Sequence, residues 1–64
     1  MVRTLSITWW NLADGSTPSA EHESELTLLG LQHAHQMVRA DFTSGELLGE
    51  VDGTGYRGHW QLTQ

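Results

Sequence analysis

The sequence predicts a small α+β domain of order β-α-β-β, a three-stranded, largely antiparallel sheet with one amphipathic helix packed on one face. Three observations lead there. The N-terminal segment alternates apolar and polar residues, a long central segment repeats its apolar residues at helical spacing, and two further alternating segments near the C-terminus are separated by glycines. The 64 residues are enough for one domain, 1–64, of a size that buries only about 60% of the surface its unfolded chain exposes.

The first strand is expected over residues 2–10. There Leu5, Ile7 and Trp9 fall on one face and Thr4, Ser6, Thr8 and Trp10 on the other. The adjacent tryptophans are thereby separated: Trp9 continues the apolar face into the core, and Trp10 turns outward. "NLADGSTPS" collects turn-forming residues, so 11–18 is a loop. Thr17 followed by Pro18, or alternatively Ser19, can cap a helix over 19–40, with Glu21, Glu23 and Glu25 near the positive end of its dipole.

Along that helix Leu26, Leu29, Gly30, Leu31, Ala34, Met37 and Val38 share one broad face, with His33 and Ala40 at its edge. Glu21, Glu25, Gln32, His35, Gln36 and Arg39 occupy the opposite arc. A rival reading turns 36–42 into a strand, but the apolar stripe runs unbroken through Met37 and Val38 and favours the helix. Strands are expected over 46–51 and 56–62, joined by a loop of Asp52, Gly53, Thr54 and Gly55. Leu47, Gly49 and Val51 then share a face with Tyr56, Gly58, Trp60 and Leu62. Gly49 and Gly58 leave room for Trp9 or Trp60 to lie over them, and Gly30 permits close approach of the helix.

Chemistry-bearing motifs are few. The chain has no cysteine, which removes disulfides and thiolate metal cages. His33 and His35 stand two apart on a helix and diverge, so the expectation is no metal and no cofactor, with His33 bordering the core and the other histidines solvated. No serine or histidine has the spacing or strained-glycine context of an activated nucleophile, and the glycines at 45, 49, 53, 55 and 58 precede no helix that could hold a phosphate. The expected protein is not an enzyme. No apolar run reaches the length of a membrane span, and the N-terminus lacks a signal-peptide core, so a cytoplasmic location without membrane association is expected.

Eight carboxylates stand against three arginines, a formal charge of −5 that repels nucleic acid and attracts basic partners. Such a charge also serves simply to keep a small protein in solution. Two features are candidate partner-binding surfaces. One is the outer sheet face, with Trp10 and Leu48 among polar residues. The other is the carboxylate set Asp14, Glu21, Glu25, Glu46, Glu50 and Asp52. Glu46 and Glu50 lie roughly 13 Å apart at about 3.3 Å per residue, a separation compatible with two phosphates along a duplex.

"ADFTSGELLGEV" followed by "GYRGHWQL" resembles a segment of small uncharacterised bacterial and mobile-element proteins, a "TSGEL…YRGxW" pattern covering about the last 25 residues. That resemblance implies a helix running into a turn, a strand and an aromatic hairpin, and carries no chemistry. The overall profile, a lone acidic domain without cysteine or catalytic motif, resembles the anti-CRISPR proteins of phages. This likeness implies a non-enzymatic inhibitor acting as a DNA mimic on a basic protein surface, most concretely a subunit of a Cascade-type CRISPR effector. Arg39 and Arg57, placed among the acids, depart from a pure DNA mimic. The alternative expectation is a regulatory interaction module, homodimeric through the sheet face around Trp10 and Leu48.

Overall fold

The computed structural model describes residues 3–63. In chain order it contains β1 (Thr4–Asn11), α1 (Ala20–Arg39), β2 (Ser44–Val51) and β3 (Thr54–Thr63). The three strands form one sheet of order β1-β3-β2, both pairings antiparallel, with α1 against one face. This is the β-α-β-β architecture expected, and helix continues through Arg39, so residues 36–39 are not a strand. Val2, placed in the first strand by pattern, lies outside the described residues.

The inner face is built from two tryptophans laid over glycines. Trp9 is the cross-strand partner of Gly58, and Gly45 is the partner of Trp60. A Cβ at Gly58 would stand 2.8 Å from the Trp9 ring and 2.6 Å from the Thr8 carbonyl oxygen, and one at Gly49 would meet the far edge of the same ring at 3.3 Å. The Trp9 indole therefore spans from β1 across β3 to β2. Trp60 sits over Gly45 in the same manner, its Nε1 2.7 Å from where a Cβ would be. Trp60 is fully buried and Trp9 is 7% exposed; Leu26, Ala34, Leu47, Val51 and Tyr56 complete the buried cluster. The indole N–H groups of both tryptophans are buried without a partner among the described residues, a cost of about 1–3 kcal/mol each. Burial of such large rings has to outweigh that cost.

The helix presents a narrower stripe than its sequence suggests. Leu26, Gly30 and Ala34, spaced by four, are buried, and Met37 and Val38 are half-buried. Leu29 and Leu31, expected on the same face, are exposed, as is Leu28. A three-stranded sheet is too narrow to cover a broad apolar arc, and the absence of a side chain at Gly30 lets Ile7, Leu47 and Trp9 approach the helix closely. His33 is likewise exposed, at the rim of a hollow beside Trp9 and Leu47.

Several boundaries shift for local reasons. Ser19, with extended backbone, is the N-cap, its hydroxyl accepting from the His22 N–H at 3.4 Å. At the other end Asp41 adopts φ +69°, and the N–H groups of Asp41 and Phe42 donate to Val38 and Met37 carbonyls, the bond pattern of a Schellman cap with aspartate at the usual glycine position. β2 begins at Ser44, earlier than expected, because Gly45 serves as the floor under Trp60 and not as a turn residue. The hairpin turn is only Asp52-Gly53, with φ +50° and +80°, the signature of a type I′ turn whose twist matches the strands. Thr54 and Gly55, expected in the loop, pair with Val51 and Glu50.

Truncating Trp9→Ala is expected to cost about 3–5 kcal/mol in urea denaturation. Gly58→Ala, which adds a single methyl group against a carbonyl and a ring that cannot both withdraw, is expected to cost about 1–3 kcal/mol. A neutral outcome for Gly58→Ala in the same assay contradicts the stacked arrangement.

Candidate binding surface

Because α1 covers one face only, the other side of the sheet is uncovered. The registers place Trp10, Arg57 and Leu48 in one row across β1, β3 and β2; Thr8, His59 and Glu46 in the next; and Ser6, Gln61 and Ser44 in the third. Trp10 is half-buried and Leu48 is 75% exposed, flanking Arg57. The Arg57 Nη2 donates to Glu46 Oε1 at 2.7 Å, one row away. Both side chains are well exposed, so this pair contributes at most about 1 kcal/mol. The face is thus mixed in charge, with Glu46 and Glu50 partly offset by Arg57.

Most of the carboxylates, Glu50 among them, are gathered by topology toward one end of a molecule 37 Å long and 18 Å across. The C-terminal ends of β1 and β2, the start of β3 and the N-terminus of α1 all lie at that end. The loop after β1 is tied there by the Leu12 N–H, which donates to the Gly55 carbonyl. Asp14, Glu21, Glu23, Glu25, Glu50 and Asp52, six of the eight carboxylates, consequently occupy one half, whereas Arg3, Arg39 and Asp41 mark the other. The Ser16 hydroxyl, and then its backbone N–H donating to Asp14 Oδ1 at 2.9 Å, hold the Asp14 carboxyl below its ordinary pKa. Among the sequence-selected residues, then, Asp14, Glu21, Glu25, Glu50 and Asp52 share the acidic end, while Trp10, Leu48 and Glu46 belong to the uncovered sheet face.

His22 joins the two parts of that end, and pattern reading had left it solvated. Its Nδ1 is 2.6 Å from the Tyr56 hydroxyl, its ring meets Tyr56 edge-on at 85° with centroids 5.7 Å apart, and its Nε2 lies 3.4 Å from Asp52 Oδ2. Tyr56 is only 4% exposed, so the Tyr56-His22-Asp52 chain ties the hairpin to the first turn of the helix. The available signal was spacing: His22 stands four residues before Leu26 and eight before Gly30, on the buried stripe.

Two hollows flank the helix. A cleft of about 350 Å³ is lined by Trp9, Leu29, His33, Glu46, Leu47 and Leu48 along the free edge of β2. A smaller one of about 180 Å³ lies along β1, beneath Thr17 and Pro18. Among the described residues no three His, Asp or Glu side chains stand close enough to hold a metal ion, and no helix is long and apolar enough to cross a membrane. No protein-family model, curated protein or solved structure matches the chain.

Replacing Tyr56→Phe removes one hydroxyl and leaves the ring in place. The expected loss is about 0.5–1.5 kcal/mol, read as a lower urea midpoint with unchanged m-value. Unaltered stability contradicts a structural role for the His22 bond.

Proposed function

We propose that the chain is a non-enzymatic inhibitory binding protein whose acidic end occupies a basic, nucleic-acid-binding surface of another protein. Its most specific form is an anti-CRISPR acting on the DNA-binding groove of a CRISPR effector complex. One observation carries the reading: six of eight carboxylates lie in one half of an elongated molecule, where Arg57 is the one arginine, while Arg3 and Arg39 lie in the other. A predominantly negative end can enter a groove shaped for a phosphate backbone, and its field accelerates and orients encounter. The mixed sheet face is less suited to that role, because Arg57 already engages Glu46.

The test is competition. With a Cascade-type effector and labelled target DNA, the protein is expected to displace DNA, with an affinity that falls steeply as salt rises. The combined variant Glu21→Lys, Glu25→Lys and Glu50→Lys, all at exposed positions, is expected to lose about tenfold or more in affinity, chiefly through association rate. DNA binding that is unchanged at saturating protein removes this reading.

The uncovered row of Trp10, Arg57 and Leu48 favours a second reading, a homodimer through the sheet face. An aromatic anchor in a polar surround fits an interface centre. On this reading sedimentation shows a salt-insensitive dimer that Trp10→Ala dissociates, and a monomer at high concentration excludes it.

A further inference from the structure

The free edge of β2 offers a site of a different kind. In an antiparallel ladder alternate residues direct their N–H and C=O groups to opposite sides. The Leu62 N–H donates to the Thr43 carbonyl at 2.7 Å, so Thr43 and, by alternation, Gly45, Leu47, Gly49 and Val51 bond to β3. Ser44, Glu46, Leu48 and Glu50 therefore present their backbone donors and acceptors to the open side. The same edge borders the 350 Å³ cleft, whose floor is Leu47 and Trp9 and whose wall is Leu29 and His33 of α1. That volume is within the range of ligand pockets, roughly 300–1,000 Å³. The β1 edge lacks this combination, since its hollow is half the size and roofed by Thr17 and Pro18, and the Asn11 N–H is already engaged with Ser16.

From this geometry we infer that the β2 edge captures an extended peptide segment of a partner as a fourth, antiparallel strand, with apolar side chains entering the cleft and basic side chains flanking them. Residues of the added strand opposite Leu47 and Gly49 point to the helix side, toward Leu29 and His33; those opposite Glu46 and Glu50 lie on the outer face, one beside the Glu46 carboxylate that Arg57 also engages and one beside Glu50. Opposite charges placed directly across strands attract, and like charges repel. A basic-apolar-any-apolar-basic segment meets every one of these requirements. A second copy meets them poorly, because pairing two β2 edges puts both pairs of Glu46 and Glu50 on one side of the seam between chains that each carry −5. The site shares Glu50 with the acidic end but rests on the backbone of β2 and the adjoining cleft, which the acidic end does not supply, so either reading can fail alone.

The probe is the palindromic peptide acetyl-Thr-Arg-Val-Thr-Val-Arg-Thr-amide, titrated into ¹⁵N-labelled protein. Saturable amide shifts are expected at Ser44, Glu46, Leu48, Glu50, Leu29 and His33. A chain made by total synthesis with N-methylated Leu48 loses one outward donor and leaves the β3 ladder intact; it is expected to bind about tenfold more weakly. Leu29→Arg, at an exposed position of the cleft wall, is expected to do the same, and keeps the test valid should the N-methylated chain not fold. The peptide with glutamate in place of both arginines is also expected to bind at least about tenfold more weakly at low salt. Saturable shifts confined to the acidic end or the sheet face, equal binding by both variants, no binding at millimolar peptide, or a dimer that buries β2 each overturns the proposal.

Discussion

The packing of two indole rings over glycine backbone is the constraint on which the rest of this fold depends. Trp9 and Gly58 are paired across β1 and β3, and Trp60 and Gly45 across β3 and β2, so each ring has its flat space only in the observed register. A slip of one residue would carry Trp9 and Trp60 to the solvent side and replace the glycines beneath them with side chains. In a domain without disulfides the two rings are the largest side chains of the buried cluster, and they have to hold three strands together with a single helix.

The surface follows from that core. Since both rings lie on one side of the sheet, the helix is needed there, and no described element covers the other side. Gly30 and Ala34 let α1 approach the Trp9 plate closely, and that closeness leaves Leu28, Leu29 and Leu31 outside the contact. The cleft at β2 is walled by Leu29 and His33, which that contact leaves outside, and floored by Leu47 and Trp9. At the end of the sheet, the Asp52-Gly53 turn and His22 close the hairpin against the helix start, bringing carboxylates from four segments together. Their mutual repulsion is eased by the N-terminal dipole of α1, beside which Glu21 and Glu23 stand.

Periodicity made the element order, the helix and the opposite orientations of Trp9 and Trp10 legible, because alternation and helical spacing are consequences of a one-sided core. It also marked Gly49, Gly58 and Gly30 as places of close approach. Less legible was the width of the helix stripe, which is set by how many strands lie beneath it and by tilt, neither of which a helical wheel contains. The packing role of Gly45 is not legible, because nothing local shows that Trp60, fifteen positions later, lies across it. The role of His22 was hidden for the same reason, since its partner Tyr56 is 34 residues away. Charge was legible as a sum, but its convergence at one end required the strand registers.

The two surfaces differ in the physics they can use. The acidic end acts at a distance comparable with the Debye length, about 8 Å at physiological salt, and is tuned by ionic strength. The β2 edge acts only at contact, through backbone hydrogen bonds and apolar burial, and is insensitive to charge except at the flanking positions of Glu46 and Glu50. A domain this small has little stability of its own, so a strand added to its edge would do more than bind. It would cover Leu29 and pair the outward groups of β2, and the free energy of that association would add to the stability of the fold in proportion to ligand concentration. Long-range attraction at the tip and short-range capture at the edge are compatible on one molecule, because the topology that crowds carboxylates at the ends of the strands leaves the middle of β2 open.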